Sequence, residues 1–69
     1  MLSSMNLHVE LEQETDGRWI AEVPELPGVL VYGDTPDQAR QKARALALRV
    51  LADGLEQGNI KATTFSFQS

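Results

Sequence analysis

Gly33-Asp34-Thr35-Pro36-Asp37-Gln38-Ala39 marks the point where the chain changes its hydrophobic period, and it separates a strand-forming half from a helix. Thr35 is an N-cap residue, Pro36 suits the first helical position, and Gln38 stands three residues after the threonine. Together they make a capping box with proline at N1. Asp34 and Asp37 lie at the positive end of the helix dipole, where carboxylates are favoured. The helix is expected to run from Pro36 to about Asp53, with Gly54 or Gly58 as its stop.

Downstream of that start, Ala39, Ala43, Leu46, Ala47, Val50 and Leu51 form one apolar stripe, suited to packing on a sheet. Ala45, Leu48, Ala52 and Leu55 form a second strip on roughly the opposite side. A single helix laid on a single sheet needs only the first stripe, so the second calls for a partner or a cover. Beyond Gly58, the stretch 60–67 alternates again, with Phe65 and Phe67 on one face of a final strand. Its pairing, within the chain or with a neighbour over 60–68, stays open at this level.

Upstream, residues 6–14 alternate: Leu7, Val9 and Leu11 point one way, His8, Glu10 and Glu12 the other. That period of two marks a strand with one buried face. Thr15-Asp16-Gly17 is a hairpin signal, because glycine accepts the positive φ that a tight turn demands. From Arg18 to Val23, Trp19, Ala21 and Val23 share one side, and Arg18, Ile20 and Glu22 the other. Pro24-Glu25-Leu26-Pro27-Gly28 breaks the pattern with two fixed φ angles and a permissive glycine. Val29-Leu30-Val31-Tyr32 reads as a third, short strand. The expected fold is a single small α+β domain, β-β-β-α-β, with the helix packed on one sheet face over residues 6–68 and a flexible N-terminus over 1–5.

Size bears on assembly. The chain has 69 residues, no cysteine and a formal charge of −4. Disulfides are excluded, and with His8 as the one histidine a structural zinc site has no ligand set. Domains below roughly 80 residues usually need an added staple. Association with another chain, as a dimer or higher homo-oligomer, is the stabiliser that remains. Met1–Met5 carries no positive residue and is neither signal nor anchor, so a cytoplasmic location is expected. Translation can start at Met1 or at Met5, which would make Met1–Ser4 an appendage.

Candidate chemistry is sparse. No cysteine is present, the serines cluster at the termini, and His8 has no serine elbow near it, so a catalytic triad finds no support. Glu10, Glu22 and Asp34 are the acids with which a magnesium-dependent nuclease would have to work. The bland reading of the same acids is a solvated face that keeps a small sheet from pairing at its edges. Four of the six basic residues (Arg40, Lys42, Arg44, Arg49) lie on the helix without forming one stripe, and overall charge is negative, which argues against direct DNA binding. An acidic sheet face can instead imitate nucleic acid and steer a basic protein towards it. Trp19 fits the core and also the type of residue found at binding hot spots.

The string Asp16-Gly17-Arg18-Trp19-Ile20-Ala21-Glu22-Val23-Pro24-Glu25-Leu26-Pro27-Gly28, followed by Gly33-Asp34-Thr35 and Ala39, closely resembles the HicB-like antitoxin family. That family's pattern runs Asp-Gly, an aromatic or apolar residue, Ala, Pro-x-Leu-Pro-Gly, then Gly-x-Thr with an Ala four residues after the Thr. The likeness spans about residues 6–58, and the two motifs at this spacing are specific together where each alone is weak. The resemblance implies a partial ribonuclease-H-like fold and a role in type II toxin–antitoxin systems of bacteria: neutralising a small basic HicA-type toxin that cleaves messenger RNA. It also implies oligomers, and it carries no catalytic set onto these positions. Longer members append a DNA-binding domain; this sequence ends at Ser69, so no such domain and no autoregulatory DNA binding are expected. Asp37-Gln38 stands where the family often has two acids.

An antitoxin-like interaction module is therefore the leading expectation, with no enzyme activity, no cofactor and no metal. Glu10, Glu22, Glu25 and Leu26 are the candidate toxin contacts. Ala45, Leu48, Ala52, Phe65 and Phe67 are the candidates for self-association. The alternatives are an orphan oligomeric scaffold or ligand-sensing domain without a toxin and, more remotely, the metal-dependent nuclease.

Overall fold

The computed structural model describes residues 3–62 and 64–68. Its elements are β1 (Ser4–His8), β2 (Glu10–Gln13), β3 (Trp19–Glu22), β4 (Leu30–Gly33), α1 (Pro36–Glu56) and β5 (Thr64–Gln68), an α+β domain in the expected β-β-β-α-β order. The first expected strand appears as two because its partner changes at Val9. Before Val9, β1 pairs with β5 in parallel; after it, β2 pairs with β3 antiparallel, and β3 with β4. Successive amides of a strand point to opposite edges. Val9 N–H accordingly donates to Gln68 O on one edge (2.7 Å), while His8 N–H points to the other edge and donates to Glu25 Oε1 (3.0 Å).

The β2–β3 hairpin closes as the Thr15-Asp16-Gly17 signal predicts. Glu14 and Arg18 pair through their backbones, and Gly17 takes φ +94°. Asp16 accepts from both Arg18 N–H (3.0 Å) and Arg18 Nε (2.8 Å), and these bonds hold its carboxyl below the ordinary range. At the helix start, Thr35 Oγ1 accepts from Gln38 N–H (3.0 Å). Gln38 Oε1 reaches back to Asp34 N–H (3.0 Å), one residue earlier than the cap itself.

The helix runs past Gly54 to Glu56, three residues beyond the expected end. Gly58, at φ +76°, is the stop: Asn59 N–H bonds Gly54 O (2.8 Å) and Gly58 N–H bonds Leu55 O (3.2 Å), a Schellman closure. Gly54 has a different purpose. A Cβ there would lie 2.4 Å from Ile60 Cδ1, so its bare backbone is the seat on which the chain folds back.

The core is Leu7, Val9, Ala21, Val23, Leu26 and Val29 from the sheet side, facing Ala39, Ala43, Ala47 and Leu51 of α1. The helix lies mainly over β3 and β4, and small alanines let it approach closely. Gly33 completes that approach: a Cβ on it would sit 2.5 Å from Ala39 N.

Several sequence expectations change. Ser4 and Met5 belong to β1 rather than to a loose N-terminus; Met1 and Leu2 lie outside the described residues. The last strand starts at Thr64, not at 60, with Thr63 outside the described residues, and it pairs within the chain. Phe65 and Phe67 are half-buried and pack against the core beside Met5 and Leu7, so they do not form an exposed aromatic edge. Among the described residues no helix is long and apolar enough to cross a membrane.

Candidate functional site

Strand register assembles a surface on the sheet face turned away from α1. The hairpin sets Glu10 directly opposite Glu22 and Glu12 opposite Ile20. The next pairing sets Leu30 beside Glu22 and Tyr32 beside Ile20. Two rows result, Glu10-Glu22-Leu30 and Glu12-Ile20-Tyr32, with carboxylates towards β2 and apolar side chains towards β4. Leu30 is 46% exposed and Tyr32 41%, while Ile20 is half-buried between its neighbours. The Arg18 guanidinium lies over the Tyr32 ring, 4.4 Å from its centroid, and closes one end of the patch.

Electrostatics distinguish this face. Like charges directly opposite across a strand pair are destabilising. Glu10 and Glu22 occupy such a pair, and among the described residues neither they nor Glu12 has an ion-pair partner. The β1–β5 end of the same face is polar and self-satisfied, with Thr64 Oγ1 to Ser4 Oγ (2.9 Å) and Ser66 Oγ to Asn6 Oδ1 (2.8 Å). Unspent acidity is thus concentrated beside exposed hydrophobic groups. Such a face can take up cationic side chains and an apolar anchor together.

The other two expected contacts have different positions. Glu25 is committed to His8: its carboxylate takes the His8 amide at Oε1 (3.0 Å) and meets His8 Nδ1 at Oε2 (2.6 Å). The backbone bond, then the ring bond, hold the Glu25 carboxyl below the ordinary range. It latches the β3–β4 loop to β1. Leu26 is 5% exposed and fills the core beneath that loop, so it offers no surface to a partner. Trp19, half-buried, packs against the core in the same way.

Ile20, Leu30 and Tyr32 are the apolar members of this face that pattern reading missed. The signal was present: Val29 and Val31 alternate with Leu30 and Tyr32, so that strand is apolar on both faces although one helix covers only one of them. Asp34 follows β4, one residue past the Trp19–Gly33 pair and so at the opposite end of β3 from the Glu10–Glu22 pair. Among the described residues no group of three acidic or histidine side chains gathers to hold a metal ion. An open depression lined by Asp34, Asp37, Gln38, Gln41 and Lys42 surrounds the helix start, but Gln38 is engaged in capping and Lys42 Nζ in a bond to Tyr32 O (3.3 Å).

On α1, Ala45, Leu48, Ala52 and Leu55 are all exposed, Leu48 at 54% and Leu55 at 43%. They lie on the far side of the domain from the acidic patch. No protein-family model, no curated protein and no solved structure matches this chain.

Proposed function

We propose that this chain is an antitoxin-like interaction module that binds and neutralises a small basic ribonuclease of the HicA type through the outer sheet face. The observation that carries this reading is the Glu10–Glu22 pair, without an ion-pair partner among the described residues, set beside exposed Leu30 and Tyr32. A cation supplied by a partner relieves the repulsion, and the apolar neighbours give the complex area that charge alone does not. A ribonuclease must attract phosphates, so its substrate surface is positively charged. An array of carboxylates held in register by the strand pairing would compete for that surface. The motif likeness of residues 16–28 and 33–39 to HicB-like antitoxins supports the same role. The setting would be the cytoplasm, where messenger RNA is cleaved.

Co-expression tests the proposal. The product of an adjacent gene for a small basic ribonuclease should arrest growth alone, and this chain should restore it. Failure to form a complex with any small basic neighbour would overturn the reading and leave the orphan oligomeric scaffold, which the exposed α1 strip favours.

A further inference from the structure

We propose that the outer edge of β4 takes up an extended segment of a basic partner as an added strand, paired through Leu30 and Tyr32. The inference rests on the reading of the outer sheet face as the docking surface for a basic protein. It specifies the backbone contact by which such a partner is held.

The pairing of β4 decides which of its backbone groups are spare. β4 is the last strand of the β2-β3-β4 sheet, and among the described residues only β3 pairs with it. Val23 N–H donates to Val29 O (3.1 Å), so Val29 turns its peptide groups towards β3. Antiparallel pairing alternates along a strand. Val31 and Gly33 therefore turn the same way, and the N–H and C=O of Leu30 and Tyr32 lie on the opposite edge. Lys42 Nζ agrees with that direction, since it reaches Tyr32 O from beyond β4 (3.3 Å). Leu30 N–H, Leu30 C=O and Tyr32 N–H have no hydrogen-bond partner among the described residues. Tyr32 O keeps a second lone pair. A strand laid along this edge finds donors and acceptors in line at both residues.

Side chains favour the same occupant. Exposed edges are commonly blunted by charge, proline or a bulge. β4 is Leu-Val-Tyr-Gly, with no charge and no proline. Leu30 and Tyr32 flank the free groups on the outer face, both more than two-fifths exposed. Apolar side chains at alternate positions of an added strand would extend the rows that end in these two residues. The remaining side chains would turn to the α1 side, into the open depression lined by Asp34, Asp37, Gln38, Gln41 and Lys42. There the Asp34 carboxylate has no ion-pair partner among the described residues, whereas Asp37 pairs with Arg40 (2.6 Å). The fitting segment alternates apolar and cationic residues, in keeping with the chain's formal charge of −4. The free edge of β5 offers less. Thr64 and Ser66 are bonded to β1 on that face, so a strand added there buries little apolar surface.

A synthetic peptide tests the edge without the ribonuclease. Acetyl-Lys-Val-Lys-Val-Lys-Val-Lys-amide is titrated to about 5 mM against the full chain, which covers the weak affinity expected of one short strand. Amide exchange is read by NMR. The Leu30 and Tyr32 amides should exchange at least about tenfold more slowly with the peptide bound, while Val31, already paired to β3, should change little. Replacing the central valine by N-methylvaline keeps charge and apolar side chain and removes an N–H aimed at β4. That change should weaken binding at least about tenfold. Exchanging every lysine of the peptide for glutamate should weaken it as much. No saturable binding overturns the proposal, as does binding that leaves both amides at their free rates. Equal binding of the N-methyl peptide overturns strand pairing, and equal binding of the glutamate peptide overturns the basic occupant. Slow exchange at both amides in the peptide-free chain, growing with its concentration, overturns the proposal in favour of a second copy at this edge. Glu22 lies on β3, one strand inside the edge. If the peptide fails while Glu22→Lys still weakens ribonuclease binding, the edge is excluded and the acidic face stands.

Discussion

Individual residues divide here into those that hold the backbone and those left over for a partner. Gly33 belongs to the first group, since its missing side chain sets the distance between β4 and the first turn of α1. Gly33→Ala should lower stability by about 1–3 kcal/mol through overpacking against the Ala39 backbone. Urea unfolding followed by Trp19 fluorescence measures this, and an unchanged midpoint would show that β4 and α1 can part without cost. Glu22 belongs to the second group. Facing Glu10 with no ion-pair partner among the described residues, it opposes the sheet it sits in, and a residue of that kind is informative because folding alone does not account for it.

Elements show where pattern reading succeeds and where it stops. The helix start was legible because Thr35, Pro36 and Gln38 each act within one turn, and the hairpin because Gly17 alone supplies its positive φ. The split at Val9 was not legible, since a change of strand partner leaves the alternation of Leu7, Val9 and Leu11 intact. Gly54 and Gly58 both read as stops because a helical glycine and a terminal one look alike in sequence; Ile60, seated on Gly54, decides between them, and Gly58 is the stop. Leu26 read as loop surface because the segment around it is irregular, yet its side chain turns under the loop. Glu25 is the element-scale device that sequence could not show, the latch between that loop and β1. A carboxyl held below its ordinary value in the fold contributes stability that is present above the unfolded value, about 4.3, and is lost as pH falls through the folded one. The stability gap between wild type and Glu25→Gln should therefore be larger at pH about 6 than at pH about 3. An equal gap at both would show that the His8 contacts do not depend on the charge.

At the scale of the whole molecule, one helix laid on the three-stranded β2-β3-β4 sheet, beside the β1-β5 pair, leaves two unsatisfied surfaces on opposite sides. The fold covers the inner sheet face with α1 and so separates the acidic outer face from the apolar helix strip. The central claim rests on the acidic face, and one titration addresses it most directly: the affinity of the chain for a small basic ribonuclease of the kind proposed as its partner, measured beside that of Glu22→Lys. The substitution places opposite charges across the strand pair, so it should raise folding stability by about 0.2–1 kcal/mol. The account predicts that this more stable variant binds at least about tenfold more weakly, a loss of about 1.4 kcal/mol or more. Equal affinity in the two proteins would contradict it.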